Sequence, residues 1–165
     1  MLEPIRLNTK NLLSSSDLQK NEILHIFELA QNFKNKSFKT DIGDKVLGMI
    51  FDKASTRTRV SFNVAMTKLG GSSIDLNPNV SQIGRGELIK DTARVLSGYC
   101  DVLAIRTFNQ KDIEEYAKWS TRPVINALSD LEHPCQALAD FFTIKEVFGD
   151  FQNVTLTFVG DGNNV

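Results

Sequence analysis

Five strand candidates, at residues 46–51, 72–76, 102–106, 123–126 and 154–159, alternate with segments whose apolar residues recur at helical spacing. This alternation admits few architectures, because parallel strands need crossover connections and helices are the usual crossover. It predicts an α/β fold, a parallel β-sheet flanked by helices. Expected helices follow Ser16, a possible cap, and then cover 57–69, 87–96, 112–119 and 133–148. Gly70 with Gly71 and Gly149 read as helix stops. Residues 32–44 and 77–86 read as polar loops. In open parallel sheets ligands lie outside the carboxyl ends of the strands. Chemistry is therefore expected in the turns after residues 51, 76, 106, 126 and 159.

Composition narrows the partners. A net charge of −1 gives no global pull toward nucleic acid or an anionic membrane, so an anion site must be built locally. No apolar run approaches the ~20 residues of a membrane span. Met1-Leu2-Glu3-Pro4 lacks the basic-then-apolar pattern of a secretory signal. Two cysteines are too few for a disulfide framework and fit a reducing, cytoplasmic compartment. Two histidines and two cysteines show no zinc spacing, so no metal is expected. The strand at 154–159 is followed by six residues and no crossover helix, which predicts that the chain stops inside a second unit.

Four segments could carry chemistry. Ser55-Thr56-Arg57-Thr58-Arg59 follows a strand and opens a helix. Free backbone N–H groups and the positive end of the helix dipole suit a phosphate there. Three hydroxyls and two guanidiniums add donors, and arginine can bind phosphate oxygens bidentately. The alternative is a solvated helix start. Arg59, two residues from Arg57, faces elsewhere on a helix and could brace the fold or a neighbouring subunit. Arg106 ends the third strand, where it either meets a ligand or simply terminates the strand. His133-Pro134-Cys135-Gln136 opens a helix, with proline at a position that sacrifices no bond. His133 and Gln136 could share a face, whereas Cys135 reads as a small buried residue rather than a nucleophile. Gly160-Asp161-Gly162-Asn163-Asn164 lacks the full dinucleotide pattern and permits a tight turn. The segment Ser81-Gln82-Ile83-Gly84-Arg85-Gly86-Glu87, in a long polar loop, says only surface loop by itself.

Taken in this order and strand context, the segments resemble the transcarbamylase family across residues 5 to 165. The first turn is similar to its carbamoyl-phosphate loop, and His-Pro-x-Gln to its second signature. Asp91 to Ser97, Ile105 to Phe108, the 133–140 segment and Gly160 to Asn164 resemble the ornithine branch more than the aspartate branch. Branches using putrescine or acetylornithine share much of this half. The resemblance implies a Rossmann-like three-layer domain at 1–150 and the start of an ornithine-binding unit at 151–165. It implies that Ser55, Thr56, Arg57 and Thr58 hold phosphate, and that Thr58, Arg106 and His133 address the carbamoyl oxygen. Gln136, with Pro134 and Cys135 beside it, would serve the carbamoyl amine. Gln82 would reach an adjacent subunit of a homotrimer, and Asn163 and Asn164 would begin the site for L-ornithine. Arg57, Arg106 and His133 are the implied catalytic residues, and no cofactor is implied. The acidic, Ser-Met-Gly and Cys-Leu-Pro segments that grip the second substrate in the family do not occur here.

Overall fold

A computed structural model describes residues 6–36, 40–77, 83, 86–151 and 153–162. Four strands, β1 (Val46–Phe51), β2 (Ser72–Leu76), β3 (Val102–Arg106) and β4 (Val124–Leu128), form one sheet in the order β2-β1-β3-β4. All pairings are parallel. The helices are α1 (Lys20–Lys34), α2 (Arg57–Lys68), α3 (Ile89–Leu96), α4 (Gln110–Trp119) and α5 (Pro134–Phe148). None of the described helices is long and apolar enough to cross a membrane.

The central strands are apolar at nearly every position because both sheet faces are covered. Ile50, Leu103, Ile105 and Val124 point to one face and pack with Ala93 of α3 and Ile113 and Tyr116 of α4. Leu47, Met49, Phe51 and Ala104 point to the other, with Met66 of α2. Period-two alternation along a strand separates these two sets.

The element boundaries moved in places. The first helix begins at Lys20 and not after Ser16, because residues Ser15–Asp17 form a separate 3-10 turn capped by Ser14. Glu22 then closes the start of α1, accepting backbone N–H bonds from Gln19 and Asn8 at 2.7 Å each. The α3 helix begins at Ile89 and α4 at Gln110. The strand expected at 123–126 lies at Val124–Leu128.

The fifth strand is a correction. Residues 154–159 form no strand, and Leu156, Phe158 and Val159 are 70%, 62% and 90% exposed. A strand exists only where a neighbour takes its ladder bonds. The free edge of β4 is already occupied by the amino-terminal segment. Leu12 donates its N–H to the Val124 carbonyl at 2.9 Å and accepts from the Asn126 N–H at 2.7 Å. No apolar period announced that pairing in the sequence.

Gly70 shows where glycine is required. Its φ is +86°, and a Cβ there would run into the Asp41 carboxylate. Gly70→Ala is expected to cost about 1–3 kcal/mol, read as a lower urea midpoint at unchanged slope.

Candidate functional site

A cavity of ≈ 1000 Å³ opens at the carboxyl ends of β1, β3 and β4. Its walls bring together residues far apart in the chain. Ser55, Thr56, Arg57 and Thr58 come from the β1–α2 turn, Arg106 from the end of β3, and His133, Cys135 and Gln136 from the start of α5. Parallel strands place these ends side by side, so the fold itself gathers the motifs.

The α2 N-terminus enters the cavity without internal compensation. Thr56 at its N-cap makes no side-chain cap bond, and its first turn holds no acidic residue. The first backbone N–H groups of such a helix have no intrahelical acceptor and carry the positive end of its dipole. Arg57 and Thr58 stand in that first turn.

Arg106 is half-buried and makes one long bond, from a terminal guanidinium nitrogen to the Ala54 carbonyl at 3.4 Å. Its Nε is buried with no hydrogen-bond partner. Burial depresses the pKa of the guanidinium, which stays charged at any physiological pH. His133 is 8% exposed, and its Nδ1 is buried with no partner. Burial lowers the His133 pKa, and the nearby Arg106 charge lowers it further, against an opposing effect of Asp140. The imidazole is therefore neutral at pH 7.

The remaining residues sort by contact. Pro134 is fully buried at the first turn of α5 and lies behind the wall, fixing the helix start. Cys135 donates weakly to the Asn126 carbonyl at 3.5 Å, and burial raises its thiol to about 11. A thiol so protonated is no nucleophile. Gln136 reaches Asp140 with its side-chain amide at 2.9 Å. Arg59 turns out of the cavity: it pairs with Asp75 of β2, bonds the Phe51 carbonyl at 3.3 Å and stacks over the Phe51 ring. Within the chain it braces the sheet, the first of its two expected roles. Gln82, Asn163 and Asn164 lie outside the described residues.

Sequence reasoning missed several wall residues. Ser61, Phe62 and Ala65 line the cavity from α2, at positions i+3, i+4 and i+7 from Thr58. That spacing was available as a signal. Leu128 also lines the cavity, with φ +146°, and nothing in its local sequence marks it.

The His133 shift sets a pH dependence with a definite sign. An unfolded histidine takes up its proton near pH ~6.5, whereas buried His133 resists until lower pH. The unfolded state then binds more protons, so stability is full above ~6.5 and falls as pH drops through the folded-state value. In urea titrations from pH ~7.5 to ~5, His133→Gln is expected to lose a smaller part of its midpoint than the parent chain.

Comparison with known proteins adds the relatives. The model for the carbamoyl-P binding domain of aspartate/ornithine carbamoyltransferase matches residues 10–146. An ornithine carbamoyltransferase of Prochlorococcus marinus strain MIT 9312 is 70% identical over all 165 residues, which span 54% of that protein. One from Nostoc sp. strain PCC 7120 is 56% identical over 156 residues, 94% of this chain and 51% of that protein. Among solved structures, ornithine carbamoyltransferase from Pyrococcus furiosus superposes with TM-score 0.91 at 50% identity, covering 98% of this chain and 53% of its own. Aspartate transcarbamoylase from Trypanosoma cruzi, in complex with carbamoyl aspartate and phosphate, gives TM-score 0.82 at 31% identity over 90% of this chain and 49% of its own. The chain thus spans about half the length of the curated relatives it matches.

Proposed function

The chain belongs to the aspartate/ornithine carbamoyltransferase family through its carbamoyl-phosphate-binding domain, and from that premise we propose that its cavity binds carbamoyl phosphate for transfer of the carbamoyl group to the δ-amine of L-ornithine. The observation that carries this reading is the pair of buried, unpartnered polar atoms, Arg106 Nε and His133 Nδ1, on the walls of one cavity with the uncapped α2 N-terminus. Buried polar groups in native proteins are almost always satisfied, and a polar anionic ligand would satisfy these.

In this reading Ser55, Thr56, Arg57 and Thr58 hold the phosphate, through side chains and helix-end N–H groups. Thr58, Arg106 and His133 address the carbamoyl oxygen, and Gln136 takes the carbamoyl amine near Pro134 and Cys135. The ornithine amine attacks the carbonyl carbon with its lone pair. Negative charge then builds on the carbonyl oxygen, where a fixed guanidinium and a hydrogen-bonding imidazole stabilise it. The carbon–oxygen bond to phosphate breaks, phosphate leaves with the electron pair, and the amine nitrogen gives up a proton to the departing phosphate, leaving citrulline. Charge on the departing phosphate falls beside Arg57 and the helix end. The substrate's own amine is the nucleophile, which agrees with the protonated state of Cys135.

Three parts of the proposal reach further. Gln82 acts in the site of an adjacent copy in a homotrimer. Residues 151–165, including Asn163 and Asn164, begin the ornithine-binding unit after a domain at 1–150. The enzyme works in the cytoplasm, in arginine metabolism. Ornithine is preferred to aspartate as acceptor because the ornithine relatives are 39–70% identical and the aspartate relatives 31–32%.

Isothermal titration tests the core of it. Carbamoyl phosphate is expected to bind, and inorganic phosphate to bind more weakly at the same site. Absence of heat with both ligands would overturn the reading. Citrulline formation by these 165 residues alone is expected to be negligible, because no acidic residue lines the described cavity to receive an amino acid's ammonium group.

A further inference from the structure

Asn126 is a polar residue in the middle of a buried strand, with 0% exposure. Asparagine is disfavoured in such strands, so its contacts deserve explanation. Its Oδ1 accepts from the Leu128 N–H at 2.8 Å. Its Nδ2 faces three oxygens: the Leu13 carbonyl at 2.9 Å, Gln110 Oε1 at 3.2 Å and the Glu132 carbonyl at 3.5 Å. Three acceptors on one side fix which end of the amide is nitrogen.

Two of these bonds bear directly on the cavity, at Leu128 in its wall and at Glu132 beside His133. Register between β3 and β4 breaks there: Ile105 pairs with Asn126, but Arg106 pairs with Leu128, so β4 carries one extra residue beside Arg106. Such bulges re-aim side chains. Leu128 holds φ +146°, a conformation that persists only where its surroundings over-determine it. Here the Asn126 side chain takes its N–H, and its carbonyl accepts from the Thr107 N–H at 3.0 Å. Glu132, whose carbonyl Asn126 approaches, directly precedes His133. Gln110 Oε1 also accepts from Ser129 Oγ at 2.7 Å, which closes the network around the 128–133 turn.

We infer that Asn126 is a positioning residue for the anion site: by holding the bulge at Leu128 and the turn before His133, it sets the relative placement of Arg106 and His133. This rests on the proposed carbamoyl-phosphate reading of the cavity. It touches no ligand itself.

The chain contains two histidines, His25 and His133, so ring nitrogen NMR signals of His133 can be assigned by one substitution at His25. Those signals are read in ligand-free protein for Asn126→Ser and for Gln110→Ala, which loosens the same network from a partly exposed position. Carbamoyl phosphate affinity is then measured by titration calorimetry. Ile113→Val, on the buried face of α4, serves as a control for destabilisation alone. Both network variants are expected to shift the His133 ring signals and weaken binding by about tenfold, while the control moves neither. A folded network variant with parental ring signals overturns the positioning role. If Asn126→Ser fails to fold, Gln110→Ala decides. A parental chain that binds no carbamoyl phosphate overturns the anion-site reading instead, and the ring signals still decide the positioning.

Discussion

Arg106→Leu is expected to weaken carbamoyl phosphate binding by about two to four orders of magnitude with little change in melting temperature. A hydrogen bond to a charged group contributes about 1.5–3 kcal/mol, and a bidentate arginine makes two. At ~1.4 kcal/mol per decade, losing both costs about 10²–10⁴ in affinity. Stability should hold because Arg106 has no ion-pair partner among the described residues and makes one 3.4 Å bond to the Ala54 carbonyl. Leucine even relieves a half-buried charge of its desolvation. A second readout follows from the same change. Arg106 is a cause of the depressed His133 pKa, so its removal should move the His133 titration upward, though burial keeps it below the usual histidine value. Calorimetry at fixed ionic strength and ring NMR check the two effects. Arg106→Lys is not expected to restore affinity, since an ammonium cannot reproduce the planar fork. An affinity within about threefold of the parent, where charge-assisted bonds predict far more, would remove Arg106 from the site.

Ile105→Ala is expected to produce the largest loss of stability. Ile105 is 0% exposed on β3, between β1 and β4, and packs against Ile50, Leu103, Ile113 and Tyr116. Removing buried isoleucine atoms costs their transfer free energy and leaves a cavity, together about 2–5 kcal/mol. A domain of this size holds only about 5–15 kcal/mol in all. Thermal unfolding should therefore move down by about 4–20 °C at ~2–4 °C per kcal/mol. Leu156→Ser gives the contrast. Leu156 is 70% exposed and joins no sheet, so its change should stay within about 0.5 kcal/mol. An equal effect of the two substitutions would contradict the core described above.

How much of this was legible beforehand depends on the range of the interaction concerned. The runs at 46–51, 72–76 and 102–106 became β1, β2 and β3 at those bounds; for β1 and β3 two-sided burial writes itself into local composition, whereas the edge strand β2 holds no buried residue. The run at 154–159 has comparable composition and forms no strand, while the edge of β4 is taken by Leu12. The clasp that puts Leu12 there includes the Asn11 side chain accepting from the Val124 N–H, across a separation of 113 residues. No local pattern encodes such a contact.

The site divides in the same way. Ser55, Thr56, Arg57, Thr58, Arg106, His133 and Gln136 stood out by residue type and by position at predicted strand ends, and alternation alone put those ends on one side of a sheet. Composition also gave no global pull toward nucleic acid or an anionic membrane. The tertiary structure decided the strand order β2-β1-β3-β4, and with it that Arg106 and His133 border one cavity while Arg59 turns away to Asp75. It also decided the bulge at Leu128 and the buried amide that holds it. The reason is physical. Periodicity reflects which face of an element is buried, a property of residues near one another in the chain, whereas a side chain's partners and its proton affinity depend on what the folded chain brings beside it.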